Sequence, residues 1–358
     1  MKIAVLGVGL IGGSIGLAAR DRLGAEVAGF DPNRELLGRA EELGAVDSAH
    51  GNVADAVAGA ELAFCAAPVM ALPGLAAEAL DAAPEDCAVT DVGSVKRDVI
   101  AALGSEGRFI GGHPLAGAET SGVENARTDL FQGARWYLTP TANTIGLLYD
   151  RLQRAIAEID ARPQAIEAET HDRLMATISH LPHVVANVLV NQAATALSEE
   201  AEHLPEVGPS FRDATRVAGA NPAIWGDIFA GNREAVAAEI DTAIARLQEA
   251  ADLLRSGDRD TVLSWHQHAG KRRRELIEAE IAGGPLHEIR MRVPNRPGIV
   301  AEVALELGRA GVNIEDMALY PAADMTSGAI SIYVAGAEQA VRAEELLSGL
   351  GHDVARTE

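Results

Sequence analysis

The N-terminus contains the pattern that most constrains the fold of this chain. An apolar run, Lys2–Leu6, is followed at once by Gly7-Val8-Gly9-Leu10-Ile11-Gly12, where a helical pattern begins. Glycines at this spacing permit a tight turn after a strand, close approach of the backbone to a pyrophosphate, and close packing of helix on strand. The helix N-terminus also favours the negative charge of a diphosphate. The pattern predicts a dinucleotide site whose contacts come from Gly7, Gly9, Leu10, Ile11 and Gly12.

Asp31 indicates which dinucleotide is bound. It directly follows the second apolar run, Glu26–Phe30. A carboxylate at this place accepts hydrogen bonds from the ribose hydroxyls and repels a 2′-phosphate. We therefore expect NAD rather than NADP, although the nearby Arg34 would weaken that preference.

Residues 1–165 alternate short apolar runs with helical patterns, which predicts βαβ units and a mostly parallel sheet covered by helices on both faces. The further strand candidates are Glu61–Ala66, Cys87–Thr90, Phe109–Ile110 and Arg135–Thr139. Arg34–Leu43 and Met70–Leu80 are examples of the helical patterns between strands. We expect a Rossmann-type α/β domain over residues 1–165.

Residues 166–284 change to a helical period. The segment His171–Leu197 is unusually apolar and is interrupted by Pro182, while Glu234–Leu254 and Asp260–Ile281 each carry apolar residues at three- and four-residue spacing. This region has many amphipathic helices and few strands, so a monomeric domain could not bury all of their apolar faces. This region is therefore predicted to be an all-α domain that forms a homodimer.

Residues 285–358 form a third region after the breaker-rich linker Ala282-Gly283-Gly284-Pro285. The pattern reads as strand, helix, strand, strand, helix, strand, which is the order of a ferredoxin-like α+β domain. The candidate elements are Leu286–Val293, Ile299–Ala310, Asn313–Tyr320, Gly328–Val334, Glu338–Gly349 and His352–Arg356.

Composition limits the partners and the compartment. The formal net charge of −22 argues against nucleic acid or an anionic membrane surface as a partner. Two cysteines, Cys65 and Cys87, are too few for a disulfide framework and favour a reducing cytoplasm. We expect no membrane span, since uninterrupted apolar runs are short, and we expect no metal site.

His113 is the candidate for a proton acceptor among the ten histidines. It follows the strand candidate Phe109–Ile110 in a glycine-flanked loop, at the sheet edge where ligands of open α/β sheets bind. An imidazole suits removal of a hydroxyl proton because its pKa lies near working pH. A loop histidine that caps the backbone is the alternative. Ser94 offers a hydroxyl at the same edge, although it would equally serve as a helix cap.

A second group of polar residues lies in the helical region. Ser179 and His183 are four residues apart on one helix face. Polar groups in so apolar a segment need partners, which either a substrate or core hydrogen bonds would supply. Arg216 would hold a substrate carboxylate through two parallel hydrogen bonds, or would instead pair with Asp213.

Taken together, these motifs resemble the prephenate dehydrogenase family, including its arogenate-using relatives. The resemblance runs in order over residues 1–282 and rests on four sequence motifs. They are Gly111-Gly112-His113-Pro114-Leu115-Ala116-Gly117 with Glu119, Asp91-Val92-Gly93-Ser94-Val95-Lys96, Ser179-His180-Leu181-Pro182-His183, and Phe211-Arg212-Asp213-Ala214-Thr215-Arg216. The C-terminal region resembles an ACT domain through Pro294-Asn295-Arg296-Pro297-Gly298 and Gly311-Val312-Asn313-Ile314.

The resemblance implies NAD-dependent oxidative decarboxylation of prephenate to 4-hydroxyphenylpyruvate in tyrosine biosynthesis. By analogy His113 accepts the hydroxyl proton, Ser94 helps to orient it, and Arg216 holds the ring carboxylate. Ser179 and His183 would approach the pyruvyl end of the substrate. Glu119, Asp213 and Trp225 would line or gate the pocket. Ala118 stands where many relatives have threonine, which weakens any statement about a pyruvyl or alanyl side chain.

The ACT resemblance implies an amino-acid effector at an edge shared by paired domains. We expect feedback control by tyrosine, with contacts from Asn295, Gly298 and Asn313; a purely structural dimerising module is the alternative. For the whole chain, arogenate dehydrogenase and a non-catalytic sensor of NAD and amino acids are the competing functions.

Overall fold

The computed structural model describes residues 1–117, 120–200, 207–278, 286–294, 296, 299–322 and 327–357. The chain divides into two compact units, Met1–Ile244 and Ala245–Glu358. The helix Arg233–Ser256 runs from the first unit into the second.

An eight-stranded sheet forms the centre of the first unit, in the order β3-β2-β1-β4-β5-β6-β7-β8. Its strands are β1 Lys2–Leu6, β2 Glu26–Phe30, β3 Ser48–His50, β4 Leu62–Cys65, β5 Ala88–Asp91, β6 Phe109–Pro114, β7 Arg135–Thr139 and β8 Arg162–Ala165. All neighbours are parallel except β6 and β7, which are antiparallel. The order of the first six strands is that of the Rossmann fold, which confirms the predicted fold class.

Helices cover both faces of this sheet. They are α1 Leu10–Leu23, α2 Arg34–Glu42, α3 Val53–Val57, α4 Leu72–Ala82, α5 Arg97–Leu103 and α6 Gly146–Glu158. Side chains alternate along a strand, so β1 contributes Ile3 and Val5 to one apolar core and Ala4 and Leu6 to the other. The residues of both cores are buried.

The structure adds two strands that the sequence did not predict and lengthens a third. β3 and β8 are short edge strands with polar side chains, so they have no apolar run to mark them. β6 continues through His113 to Pro114 because it pairs with the antiparallel β7, where His113 lies opposite Tyr137. His113 therefore belongs to a strand, and its predicted position in a loop is wrong.

The rest of the first unit is helical, as predicted. The helices are α7 Ala168–Met175, α8 Leu181–Glu200, α9 Pro209–Thr215, α10 Pro222–Gly231 and the start of α11 Arg233–Ser256. A π-helical turn, Ala176–His180, joins α7 to α8, and Leu181 donates its N–H to the carbonyl of Ala176. The wider turn accommodates Pro182, which has no N–H and would clash with a carbonyl of a regular helix.

Among the described helices, the segment Ala168–Thr195 has the length and apolar composition needed to cross a membrane. In the single chain, 22% of its most apolar stretch is buried. The same segment carries His171, Asp172 and His180, all buried and hydrogen-bonded to other elements. Such polar contacts are typical of a helix packed in protein, since lipid offers no partners. Its exposed apolar side chains include Ile178, Val185 and Val188.

The second unit contains the end of α11, α12 Arg259–Glu278 and the βαββαβ domain. The domain consists of β9 Leu286–Pro294, α13 Ile299–Arg309, β10 Asp316–Pro321, β11 Ser327–Ala335, α14 Ala337–Gly349 and β12 Asp353–Thr357. The sheet order is β10-β11-β9-β12, with every pair antiparallel. Ile289 and Met291 of β9 pack with Val303 and Leu347 of the two helices, which confirms the ferredoxin-like arrangement.

One strand of this domain begins later than predicted. The sequence placed Asn313 in a strand, but β10 begins at Asp316. The side-chain amide of Asn313 donates to the Glu315 carboxylate at 2.7 Å, a local contact that is typical of a loop before a strand. Asn295 and Gly298, the other two predicted effector contacts, lie outside the described residues.

Candidate functional site

The glycine-rich turn between β1 and α1 has the geometry of a nucleotide loop. Gly7 has φ +100°, and a Cβ on it would lie 2.2 Å from the carbonyl oxygen of Ala66. A Cβ on Gly12 would lie 1.8 Å from the carbonyl oxygen of Gly7. At Gly9, the N-cap of α1, a Cβ would meet nothing within 4 Å, and no side chain caps the helix. The N-terminus of α1 thus has no capping side chain and has room beside Gly9, which fits a diphosphate.

Asp31 connects this loop to the end of β2. Its carboxylate accepts hydrogen bonds from the backbone N–H of Val8 at 3.0 Å and of Asn33 at 2.8 Å. A cavity of about 330 Å³ adjoins it, lined by Asp31, Arg34, His50 and neighbours. Carboxylate oxygens have spare lone pairs for two ribose hydroxyls. The residues present therefore fit the adenosine half of a dinucleotide.

The loop that carries Ser94 is held by a buried carboxylate. Asp91 accepts hydrogen bonds from the backbone N–H of Gly93 at 2.8 Å and of Gly112 at 3.1 Å, and it forms an ion pair with Lys96. Burial lowers the pKa of Lys96, while Asp91 acts in the opposite direction. Asp91 thus joins the Ser94 loop to the strand that carries His113. The N-cap residue of the following helix α5 is Lys96, and the backbone N–H groups of Lys96 and Arg97 bind Asp172, so Ser94 is not the helix cap.

His113 is buried at the carboxyl end of the parallel part of the sheet. Its side chain contacts another histidine rather than the backbone: Nδ1 lies 2.9 Å from Nε2 of His171, and Nδ1 of His171 lies 2.8 Å from Oδ1 of Asp172. Burial, followed by the charges of His171 and Lys96, holds the pKa of His113 well below its usual range. A neutral imidazole near neutral pH is the form that accepts a proton.

A second set of aromatic and cationic side chains comes from the helical region. His183 stacks on Trp225 with ring centroids 3.4 Å apart, and His180 meets the same indole edge-on at 5.9 Å. Asn232 donates to Nδ1 of His180 at 3.1 Å. Burial lowers the pKa of His180 to about 4, and burial followed by the Arg216 charge lowers the pKa of His183. Arg216 therefore lies near a neutral His183.

These side chains border a cavity of about 510 Å³, within the usual range of about 300–1,000 Å³ for small-molecule pockets. The lining includes Arg216, His183, Trp225, Ser121 and Asn221. Gly117 also lines it, four residues after His113 along the chain, whereas His113 itself does not. The cavity thus combines one guanidinium, one imidazole and one indole with hydroxyl and amide groups, a set that suits a small anionic ligand.

Two of the predicted substrate residues that the structure describes, Ser179 and Asp213, are not among the cavity lining. Ser179 is half-buried in the π-helical turn, and Asp213 is exposed on α9, one turn before Arg216. Glu119 lies outside the described residues. Within the described part of the chain no group of three or more His, Cys, Asp or Glu is arranged to hold a metal ion.

Sequence reasoning missed His171, Asp172 and Asn232, all buried and hydrogen-bonded to one another or to the site. For His171 and Asp172 the available signal is the cost of burying polar groups in an apolar helical segment, which requires partners. Asn232 lies between α10 and α11, outside that segment, and has no such signal.

The nucleotide turn and the buried histidine at the end of β6 place the chain among the dinucleotide-dependent dehydrogenases. Three family models match it in order: the prephenate dehydrogenase nucleotide-binding domain over residues 15–164, the prephenate dehydrogenase dimerization domain over residues 167–268, and the ACT domain over residues 287–352.

Individual relatives agree with these matches. A cyclohexadienyl dehydrogenase of Zymomonas mobilis is 33% identical over 279 residues, 76% of this chain and 95% of that protein. A prephenate dehydrogenase of Bacillus subtilis is 29% identical over 354 residues, 96% of this chain and 95% of that protein. A crystal structure of the Aquifex aeolicus prephenate dehydrogenase with hydroxyphenyl propionate and NAD+ is similar with a TM-score of 0.73 at 29% identity, covering 77% of this chain and 98% of that one. The chain belongs to the prephenate dehydrogenase family, which confirms the resemblance of its motifs.

Proposed function

We propose that this chain catalyses the NAD-dependent oxidative decarboxylation of prephenate to 4-hydroxyphenylpyruvate in tyrosine biosynthesis. The observation that carries the proposal is a buried His113 at the same sheet edge as the nucleotide turn, on the strand that leads to a cavity containing Arg216. The ligands of the Aquifex aeolicus enzyme, NAD+ and hydroxyphenyl propionate, support it, because the second is a phenol with a carboxylate side chain, like the product.

His113 performs the acid–base step of this proposal. It accepts the proton of the C4 hydroxyl as the C4–H bond breaks and the carbonyl forms, and Ser94 orients the hydroxyl. NAD, when bound along the Gly7–Gly12 turn, supplies the hydride acceptor. The ring carboxylate then leaves as CO2, and the electron pair of the broken C–C bond completes the aromatic ring. Within the described residues the Ser94 hydroxyl has no hydrogen-bond partner, which leaves it available to the substrate.

The helical residues bind and orient the substrate. Arg216 holds the ring carboxylate by charge-assisted hydrogen bonds. His183, stacked on Trp225, faces the pyruvyl end. Ser179 is assigned to the same end and Asp213 and Glu119 to gating by family resemblance alone, since Ser179 and Asp213 are not among the described lining and Glu119 lies outside the described residues.

A carboxylate in the pocket would pair with the ammonium group of arogenate, which prephenate lacks. The described lining contains the cation Arg216 and no acidic side chain, while Glu119, a proposed gating group, lies outside the described residues. The pyruvyl carbonyl of prephenate would accept hydrogen bonds from the hydroxyl and amide groups of the described lining.

The assay that tests the function follows NADH formation with prephenate, arogenate and simple hydroxy acids in parallel. We expect kcat/KM to be highest with prephenate. Preference for arogenate would replace the substrate assignment, and no NADH with any of the three would favour a non-catalytic sensor.

We also propose that the enzyme is a cytoplasmic homodimer. The exposed apolar side chains Ile178, Val185 and Val188 of the family's dimerization domain support pairing through this face. Cys65 and Cys87 are free thiols, as suits a reducing compartment. Sedimentation equilibrium should give twice the chain mass of 37.4 kDa, and a monomer would contradict the proposal.

Tyrosine is the effector that we propose for the ACT domain, with Asn295, Gly298 and Asn313 as contacts. Titration of tyrosine against the initial rate tests this assignment. Inhibition that disappears on deletion of residues 286–358 would support it. An unaffected rate would indicate a structural dimerising module.

A further inference from the structure

A buried chain of three side chains stands behind His113. Nδ1 of His113 lies 2.9 Å from Nε2 of His171, whose Nδ1 lies 2.8 Å from Oδ1 of Asp172. The three residues are 8%, 0% and 3% exposed. Because water is excluded, each donor among these three side chains must face an acceptor of its neighbour.

From this geometry we propose that His171 and Asp172 are positioning residues that hold His113 as the tautomer with its proton on Nδ1, leaving the Nε2 lone pair for the substrate hydroxyl. The inference deepens the proposed function, since it concerns the same proton transfer. It adds two residues that line neither the substrate cavity nor the cavity beside Asp31.

The proton positions follow from Asp172, at one end of this series of three side chains. An ionised carboxylate only accepts hydrogen bonds, so the proton between His171 and Asp172 lies on Nδ1 of His171. Nε2 of His171 is then an acceptor, and the proton between the two imidazoles lies on Nδ1 of His113. The remaining ring nitrogen of His113, Nε2, carries a lone pair. The reverse tautomer would place two acceptors or two donors against each other.

Both oxygens of Asp172 accept hydrogen bonds from the backbone. Oδ1 accepts the N–H of Lys96 at 2.8 Å, and Oδ2 accepts the N–H of Arg97 at 2.9 Å. These bonds tie the same carboxylate to the loop that carries Ser94, so one group positions both the proton acceptor and the hydroxyl.

The neighbouring charges do not offer His113 a competing partner. Lys96 is ion-paired with Asp91, and Nδ1 of His180 accepts from Asn232. The ring of Tyr137 packs edge-on against His171 with centroids 5.6 Å apart. His171 is therefore the side chain to which His113 is hydrogen-bonded among the described residues.

The direct test is a long-range ¹⁵N–¹H correlation spectrum of the imidazoles in the intact protein, in which His113→Gln identifies the His113 signals. We expect the Nδ1–H tautomer in the wild type. His171→Gln keeps an acceptor for Nδ1–H and should preserve that tautomer, whereas His171→Phe removes the acceptor and should produce a tautomer mixture. An Nε2–H tautomer in the wild type, or an unchanged signal in His171→Phe, would overturn the proposal.

Kinetics with prephenate give a second readout. We expect His171→Phe to lower kcat about 100-fold, within the roughly 10²–10⁴-fold contribution of a general base, while KM for prephenate and for NAD changes less than about threefold. His171→Gln should recover most of kcat, and the exposed control His266→Gln should leave it unchanged. Equal losses in the Phe and Gln variants would mean that His171 acts only by packing. A wild type that forms no NADH would refute the proposed function, while the tautomer spectrum would still decide the role of His171.

Discussion

Lys96 and Asp91 form an ion pair in which both side chains are completely buried. Asp91 also binds the backbone N–H groups of Gly93 and Gly112. The pair therefore holds together the two segments that carry Ser94 and His113. Removing one partner of a buried pair leaves an uncompensated charge, which costs more than the pair itself contributes.

We expect Lys96→Met to lower the free energy of unfolding by about 3–5 kcal/mol, because Asp91 loses its only cationic partner among the described residues. Urea denaturation measures the change. The control Arg154→Met breaks an exposed pair with Asp150 and should cost about 0.5 kcal/mol or less. A loss in Lys96→Met no greater than in the control would show that the buried pair is unimportant.

Cofactor selection should depend on the carboxylate of Asp31. Asp31→Asn keeps an oxygen for the Val8 and Asn33 N–H groups but loses the charge that repels a 2′-phosphate. We expect the ratio of kcat/KM for NAD to that for NADP to fall about 10–100-fold, as for a lost charge-assisted hydrogen bond. Comparable kcat/KM values for the two cofactors in the wild type would contradict the assignment of Asp31.

Arg216 should contribute to substrate binding. Arg216→Ala should cost about 1.5–3 kcal/mol of charge-assisted hydrogen bonding, appearing mainly as a higher KM for prephenate. Arg212→Ala is the matched control, since Arg212 is exposed on α9 and is not among the cavity lining. An unchanged KM in Arg216→Ala would assign this arginine a structural role.

The low pKa of His113 determines the acid side of the pH profile. Only the neutral imidazole accepts a proton, and the pKa lies well below the ordinary value of 6.5. The neutral form therefore persists as the pH falls through 6.5, and kcat/KM for prephenate should decline only at lower pH. Measuring kcat/KM between about pH 5 and pH 8 checks this. A midpoint of the decline at or above 6.5 would mean that burial does not depress the pKa.

The sequence predicted those parts of the fold that short-range patterns encode. The strands β1, β2, β4, β5 and β7 are apolar runs between helical patterns, and the βαββαβ order is visible from the alternation of periods. β3 and β8 were missed because polar edge strands are held by pairing rather than by burial. The extension of β6 through His113 also depends on pairing, since Gly111-Gly112-His113-Pro114 has no strand pattern of its own.

The site was predictable to the extent that motifs mark it. The glycine turn, Asp31 and the segment around His113 are recognisable from local sequence. The contact between His113 and His171 joins residues 58 positions apart, so no local sequence pattern predicts it. It forms because the helix that starts at Ala168 packs against α5 and places His171 beside His113 at the end of β6.

The kcat of His113→Asn with prephenate, measured together with its affinity for NAD, tests the central claim most directly. We expect kcat to fall roughly 10²–10⁴-fold, because the proton acceptor is removed, while NAD affinity stays within about twofold, because the nucleotide turn lies elsewhere. A variant that retains full activity would contradict the account and remove His113 from the mechanism.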